Sequence, residues 1–265
     1  MGERIVILTG AREQQPLADF VARLPDIQGT VVTTQAALAH ALAEDPAHTR
    51  LVAFLTSVIV PAALLTGLGR TPYNVHPGPP TLPGLYPECW AAYFGLTETA
   101  VTVHELAARV DSGRIVAVHP VLLPPVPAIA TVAERTYAAA VEVVAALLRW
   151  CATSAESLPP TGHVWSGVQR TKSMYEEMIQ PTPALSAHEA ARRARAFILP
   201  SDDGSLKPPS APRGSLPARL LRRSARKSMT TRTRGVWRSR SWVSSQICCT
   251  RPVVGGRQSS RSGSL

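Results

Sequence analysis

The 265-residue sequence predicts an α/β protein with a Rossmann-like, mostly parallel sheet flanked by helices, followed by a disordered basic C-terminal tail. Short apolar runs alternate with Ala- and Leu-rich helical patterns in the first part of the chain, which is typical of βαβ units. A hydrophobic content of 45% with 17% charged residues fits a globular chain. The charge pattern then changes abruptly after residue 203.

Six short apolar runs have the length and composition of buried strands. They lie at Ile5–Leu8, Thr30–Thr33, Leu51–Leu55, Tyr73–Val75, Ala100–Glu105 and Ile115–Val118. Helical periodicity fills several of the segments between them. The order of strands and helices therefore predicts a sheet covered by helices.

Two predicted helices carry recognisable starts. The longer one runs from Thr131 to Trp150, and Thr131 followed by Glu134 predicts a capping box. Ser186 followed by Glu189 predicts a second capping box, at the start of a helix that ends in an Arg-rich turn.

The overall charge of +10 belongs to the tail. Residues 1–203 hold 14 Lys and Arg against all 18 Asp and Glu, whereas residues 204–265 hold the other 14 basic residues and no acid. A segment of Arg, Ser, Pro and Gly without periodicity buries too little apolar surface to fold, so we expect it to be disordered. Because the Ala-rich head indicates a GC-rich gene, we interpret the tail as the product of a reading-frame change near Gly204.

The cysteines indicate neither a disulfide framework nor a zinc site. Cys89, Cys151, Cys248 and Cys249 form no CxxC pair and have no metal-ligand spacing with histidines. The amino terminus also lacks the length and cleavage site of a signal peptide. We therefore expect a cytoplasmic protein without a metal.

One uncharged stretch is long enough to span a membrane. It contains the 19 residues between Arg50 and Arg70. Pro61 and two glycines interrupt it, and a buried strand followed by a helix has the same hydropathy. We expect no membrane span.

The side chains best suited to chemistry follow the predicted fourth strand. Because side chains alternate along a strand, Asn74 and His76 point to the same face at its carboxyl end. Open α/β sheets place their sites at such ends, where a later carboxylate, Asp111, could converge with them. The amide can donate to an oxyanion, the imidazole can move a proton, and the carboxylate can hold the imidazole charge.

This trio suits transfer of an acyl-type group. Two alternatives stay open on spacing alone. A lone histidine at a strand end is often structural, and Asp111-Ser112-Gly113 alone is a turn signature.

The order and spacing of these residues resemble the folate-dependent formyltransferase family, which includes methionyl-tRNA formyltransferase, glycinamide ribonucleotide formyltransferase and the sugar N-formyltransferases. The family pattern is Asn-x-His-Pro, then Leu-Pro and Gly, then Thr/Ser-x-His, then Asp-x-Gly. The chain matches this pattern at Asn74, His76, Pro77, Leu82, Pro83, Gly84, Thr102, His104, Asp111 and Gly113.

The resemblance implies that 10-formyltetrahydrofolate donates a formyl group to a primary amine. It implies that Asn74 and protonated His76 stabilise the oxyanion, while Asp111 orients His76 and helps to move a proton. It also implies a pterin slot made largely by main-chain groups. The residues assigned to cofactor binding are Val58, Ile59, Val60, Thr102, His104, Val110 and Gly113.

We accordingly expect residues 1–158 to form a formyltransferase-like catalytic domain and residues 159–203 its C-terminal extension. Residues 204–265 would be the basic tail. No metal is implied, and the oligomeric state stays open.

Departures from the family pattern bear on the acceptor. The segment after the first strand, Thr9–Glu13, has a single Gly, whereas the purine-pathway enzyme has a Gly-rich phosphate loop there. The C-terminal β-barrel of the tRNA enzyme is not recognisable. With the Trp165-Ser166-Gly167 and Arg192–Phe197 elements, this favours a small acceptor such as a nucleotide-linked amino sugar.

Three alternatives remain open. The acceptor could be methionyl-tRNA, or the formyl group could pass to water, as in a 10-formyltetrahydrofolate hydrolase. In a different class, the basic tail could make the chain a nucleic-acid-binding protein, because clustered Arg and Lys bind phosphates.

Overall fold

The computed structural model describes residues 3–166, 168–180, 182, 184–200 and 206–207. All of these lie in Met1–Thr230, the first of two units into which the chain divides. The predicted tail, with Cys248 and Cys249, lies outside the described residues except for Leu206–Lys207. That pair forms strand β8 and lies antiparallel to β7, Leu199–Pro200.

The six predicted strands are confirmed, and most extend further than their apolar runs. They are β1 Glu3–Thr9, β2 Ile27–Val32, β3 Thr49–Phe54, β4 Tyr73–His76, β5 Glu98–Glu105 and β6 Ile115–Leu122. They form one sheet in the order β2-β1-β3-β4-β5-β6. Every residue of β3 is buried, as expected of a central strand with helices on both faces.

Strand direction changes at β5. The pairings from β2 to β4 are parallel, whereas β5 is antiparallel to both β4 and β6. The sheet is therefore mixed, with a parallel half and an antiparallel edge. This direction places His104 directly opposite Asn74, and Thr102 directly opposite His76.

Helices cover the sheet. Within the described residues they are α1 Ala11–Val21, α2 Gln35–Ala43, α3 Ala62–Thr66, α4 Pro87–Phe94, α5 Ile129–Thr153, α6 Lys172–Ile179 and α7 Ala187–Phe197. One face of β1 presents Val6 and Leu8 to Leu38 and Leu42 of α2. The uncharged stretch between Arg50 and Arg70 is β3 followed by α3, so it is not one continuous helix.

The long helix α5 starts earlier than its capping pattern predicts. Ala128 is the N-cap and has no side-chain cap, so the prediction of a cap at Thr131 is wrong. Ile129 and Val132 are buried against α4, so packing rather than capping favours the earlier start. The helix is long and apolar enough to cross a membrane by composition, but 56% of its apolar window is buried inside the protein.

The extension packs on α4. Ser186 Oγ accepts a hydrogen bond from the Glu189 backbone N–H (3.2 Å), which confirms Ser186 as the cap of α7, whereas the Glu189 carboxylate accepts from Tyr93 and Arg193. Phe197 lies against Trp90, with 5.0 Å between ring centroids. Arg192 lies over the Tyr93 ring at 3.7 Å, so this arginine is a packing residue of the α4–α7 contact.

Candidate active site

Strand β4 places Asn74 and His76 at the carboxyl end of the parallel half of the sheet. The register aligns Leu8, Ala53, Asn74 and His104 in one row across four strands. Neighbours in such a row point to the same face. The polar side chains therefore lie on the face that carries the α2 core, just beyond its apolar part.

Asp111 reaches this face from the loop between β5 and β6. Its φ of 46° lies in the left-handed region, which is uncommon for a residue with a side chain. The Gly84 N–H donates to Asp111 Oδ2 at 2.7 Å. Gly84 has φ +97°, and a Cβ there would lie 2.2 Å from the Arg170 carbonyl oxygen, so only glycine fits at this position. The site loop after β4 thus holds Asp111 through its main chain.

Asp111 bridges two histidines. Its Oδ2 lies 3.3 Å from His76 Nδ1, and its Oδ1 lies 3.2 Å from His104 Nε2. Asn74 Nδ2 is 3.0 Å from His104 Nε2. His76, His104 and Asp111 are all buried. The three predicted catalytic residues therefore lie together, and His104, expected at the cofactor, joins them in one catalytic cluster.

Main-chain carbonyls fix the other ring nitrogens. His76 Nε2 donates to the Leu82 carbonyl at 3.0 Å, and His104 Nδ1 donates to the Glu105 carbonyl at 2.8 Å. Because a carbonyl only accepts, these two nitrogens carry hydrogens. A proton gained by His76 therefore goes to Nδ1, where it points at Asp111.

Burial and charge act in opposite directions in this cluster. Burial raises the pKa of Asp111, but the positive charge of His76 and the hydrogen bonds from His104 and the Gly84 N–H outweigh it, so the pKa of Asp111 lies below its usual value. Burial lowers the pKa of His76, and attraction to Asp111 offsets part of that effect. Asp111 is thus an ionised partner beside an imidazole whose charge is costly to bury, an arrangement suited to proton exchange.

The residues assigned to cofactor binding separate into two groups. Thr102 and Gly113 lie at the catalytic cluster. Thr102 Oγ1 donates to the Gly78 carbonyl at 2.7 Å, and a Cβ on Gly113 would lie 1.8 Å from the Glu105 carbonyl oxygen. Val110 lies just before Asp111 and is 42% exposed.

Val58, Ile59 and Val60 lie on the loop after β3, beside the end of β4. Val60 is buried and packs with Val58 against the α2 core, so its side chain is structural. Ile59 is 63% exposed. The loop therefore offers its main chain and one exposed apolar side chain to a ligand.

Trp165 is the site residue that the motif analysis missed. Its ring stands nearly perpendicular to both imidazoles, with centroids 5.6 Å from His76 and 5.0 Å from His104. Its Nε1–H donates to the Gly113 carbonyl at 2.8 Å. It lies in an irregular polar segment, where the Trp165-Ser166-Gly167 element indicates a turn but no contact with the two histidines.

The geometry can support acyl-type transfer. An amide donor and an imidazole held by a carboxylate lie at one sheet edge, which is what stabilising an oxyanion and moving a proton require. Within the described ranges, no cluster of three or more His, Cys, Asp or Glu side chains is arranged to hold a metal ion.

Comparison with known proteins gives matches in structure alone. No protein-family model matches the chain, and no curated protein matches it in sequence. A sugar N-formyltransferase from a Shewanella species is 14% identical, with a TM-score of 0.61 over 79% of this chain and 98% of that one. Methionyl-tRNA formyltransferase from Clostridium thermocellum is 14% identical, with a TM-score of 0.55 over 75% and 84%.

A third structure is HypX from Aquifex aeolicus in complex with tetrahydrofolic acid. It is 18% identical, with a TM-score of 0.52 over 74% of this chain and 34% of that one. At such identities the likeness concerns the fold. The chain therefore has the Rossmann-like α/β fold seen in solved formyltransferases, as the resemblance in its sequence implies.

Proposed function

We propose that the protein transfers a formyl group from 10-formyltetrahydrofolate to the primary amine of a small metabolite, such as a nucleotide-linked amino sugar. The observation that carries the proposal is the catalytic cluster. Asn74 and His76 come from one stretch of a family-like pattern, His104 from a second and Asp111 from a third, and hydrogen-bonding contacts join them at the carboxyl end of β4. The fold shared with solved formyltransferases supports the same reaction.

Each member of the trio has a role in this reaction. The amine nitrogen bonds to the formyl carbon, and negative charge develops on the formyl oxygen. Asn74 stabilises that charge through its Nδ2 group, which lies 3.0 Å from His104 Nε2 in the free protein. His76 offers its Nε2–H, which the Leu82 carbonyl accepts in the free protein.

Proton movement completes the step. The amine loses a proton as its bond to the formyl carbon forms, and the leaving folate nitrogen gains one as the bond to the formyl carbon breaks. As the imidazolium, His76 keeps its Nδ1–H on Asp111, gives its Nε2 proton to the leaving folate nitrogen and regains a proton at Nε2 from the amine, so that the step balances. The products are a formamide and tetrahydrofolate.

Two observations support binding of the formyl donor at this site. Exposed Ile59 and Val110 provide apolar side chains at the sheet edge, next to main-chain groups that a flat polar ring could use. HypX, a protein with a similar fold, has been solved in complex with tetrahydrofolic acid, a molecule of this class. The Gly113 carbonyl already accepts from Trp165, but it has a second lone pair.

A small acceptor is favoured over tRNA. The chain covers 98% of a sugar N-formyltransferase, whereas it covers 84% of the tRNA enzyme.

The domain boundaries at residues 158 and 203 and the cytoplasmic location stay predictions.

An acceptor screen tests the proposal. Full-length protein is incubated with 10-formyltetrahydrofolate and a panel of amines, including nucleotide-linked amino sugars, and formylated product and free formate are measured separately. Amine-dependent product that is lost in His76→Ala supports formyl transfer. Formate release without any amine would instead identify a hydrolase, and formylation of methionyl-tRNA alone would contradict the small acceptor.

A further inference from the structure

A segment of the extension crosses the catalytic cluster. We call residues 161–170 the strap; all of them except Gly167 are described. The Thr161 N–H donates to the Ile115 carbonyl at 2.9 Å, at the start of β6. The strap thus begins where the loop that carries Asp111 ends.

The other end of the strap is bound to the site loop. The Ser166 N–H donates to the Pro80 carbonyl at 3.0 Å, and the Arg170 N–H donates to the Pro83 carbonyl at 2.8 Å. The Leu85 N–H returns a bond of 2.9 Å to the Arg170 carbonyl. The strap therefore joins the two loops that supply the surroundings of Asp111.

Trp165 is the strap side chain that contacts the cluster. Its indole stands perpendicular to both imidazoles, and its N–H binds the Gly113 carbonyl, two residues after Asp111. Gly113 in turn lies against the Glu105 carbonyl, the acceptor for His104. The indole thus contacts both imidazole rings directly, and its N–H binds the main chain of the loop that carries Asp111.

We propose that Trp165 is a positioning residue whose indole holds the imidazoles of His76 and His104 in place around Asp111. The ring fills the space on one side of both imidazoles, so neither can rotate away from its carboxylate oxygen without losing that contact. The kinetic consequence rests on the proposed formyl transfer, whereas the placement of the imidazoles does not.

Two substitutions separate the ring from the hydrogen bond. Trp165→Leu keeps an apolar side chain but removes the ring, and we expect kcat to fall about 10²-fold, since small displacements of catalytic groups cost that much. The KM for the amine should change far less than kcat. Trp165→Phe keeps a ring and loses the N–H, so kcat should fall only about fivefold, the effect of one hydrogen bond. Val164→Ala, at an 80% exposed neighbour, should match the wild type.

The ¹⁵N NMR signals of the His76 and His104 rings provide a readout that does not need activity, because they report which ring nitrogens carry and share hydrogens and depend little on the ring current of the indole. We expect both imidazole signals to shift in Trp165→Leu and, less strongly, in Trp165→Phe, while Val164→Ala leaves them in place. Unchanged imidazole signals and unchanged kcat in Trp165→Leu would overturn the proposal, as would equal losses of kcat in the Leu and Phe variants.

If Trp165→Leu does not fold, Trp165→Phe decides by the same two measurements: shifted imidazole signals with a modest loss of kcat support the role, and no change in either overturns it. If the wild type formylates no amine, the proposed function fails, and the spectra alone decide the role of Trp165.

Discussion

Charged side chains are buried at two opposite ends of the sheet, and different groups stabilise the charge at each end. At the amino end of β3, Arg50 is fully buried and donates to the carbonyls of Ser154 and Glu156 at 3.0 Å. At the carboxyl end of β4, the carboxylate oxygens of Asp111 lie 3.3 Å from His76 Nδ1 and 3.2 Å from His104 Nε2.

The difference lies in which groups can exchange protons. A guanidinium keeps its charge, and main-chain carbonyls beyond the end of α5 with the rings of Tyr73 and Trp150 accommodate it. Imidazole and carboxylate can both gain or lose a proton. Buried charge is therefore fixed at one end of the sheet, whereas at the other end the groups can gain or lose protons.

Of the changes proposed here, Asp111→Asn should have the largest effect, and that effect should be on activity. The amide keeps the shape of the side chain but removes the charge that supports a protonated His76, so kcat should fall about 10³-fold, within the range for acid–base and oxyanion groups. Formylated product under saturating substrates measures this, with circular dichroism to check the fold. Asp45→Asn, which alters a surface pair with His48, is the matched control and should leave kcat unchanged. Wild-type kcat in Asp111→Asn would remove Asp111 from the mechanism.

Arg50→Met should affect stability instead. Methionine keeps an apolar side chain but leaves the Ser154 and Glu156 carbonyls without their donor, so the free energy of unfolding should fall by about 3 kcal/mol. Denaturant titration measures it, and kcat per folded molecule should stay at the wild-type value. Arg70→Met, which removes a partly exposed pair with Glu3, should cost about 1 kcal/mol or less. Similar losses in both variants would contradict a special role for the buried site.

The smallest effect is the contribution of His76 to the dependence of stability on pH, which opposes that of Glu88, whose pKa burial raises to about 7. The pKa of His76 in the folded protein lies below its ordinary 6.5. As pH falls through that value, the unfolded chain binds a proton that the folded chain does not, so the free energy of unfolding decreases, by at most about 1.4 kcal/mol per pH unit.

Asp111 acts in the same direction at lower pH. Its pKa is also lowered, so its stabilisation is present above the ordinary 3.8 and is lost as pH falls further. Denaturant titrations from pH 8 to 5 should show that, as pH falls, the free energy of unfolding of the wild type decreases relative to that of His76→Gln, in which the Glu88 contribution is unchanged. Equal slopes would mean that another group titrates on unfolding.

Much of the fold follows from local patterns. The apolar runs predict all six strands of the sheet, and Ser186 predicts the start of α7, because strand burial and helix capping depend on nearby residues. The cap at Thr131 fails, since the burial of Ile129 favours an earlier start. Local signals therefore locate the elements better than their ends.

The site likewise contains residues that the sequence predicts and contacts that it does not. Spacing along β4 places Asn74 and His76 on one face, and the family-like order adds Asp111. The contact between His104 and Asp111 depends on the antiparallel direction of β5, which periodicity does not specify. The role of Trp165 depends on where the strap crosses, far along the chain from both histidines.

The sequence by itself determined the α/β class and the strand positions, because alternation and composition act over a few residues, and it proposed the trio of Asn74, His76 and Asp111. Only the tertiary structure decided the direction of β5, the second histidine on Asp111 and the indole beside both rings. These depend on how strands pair and loops pack, as when β5 places His104 opposite Asn74, 30 residues away, and no local pattern encodes them.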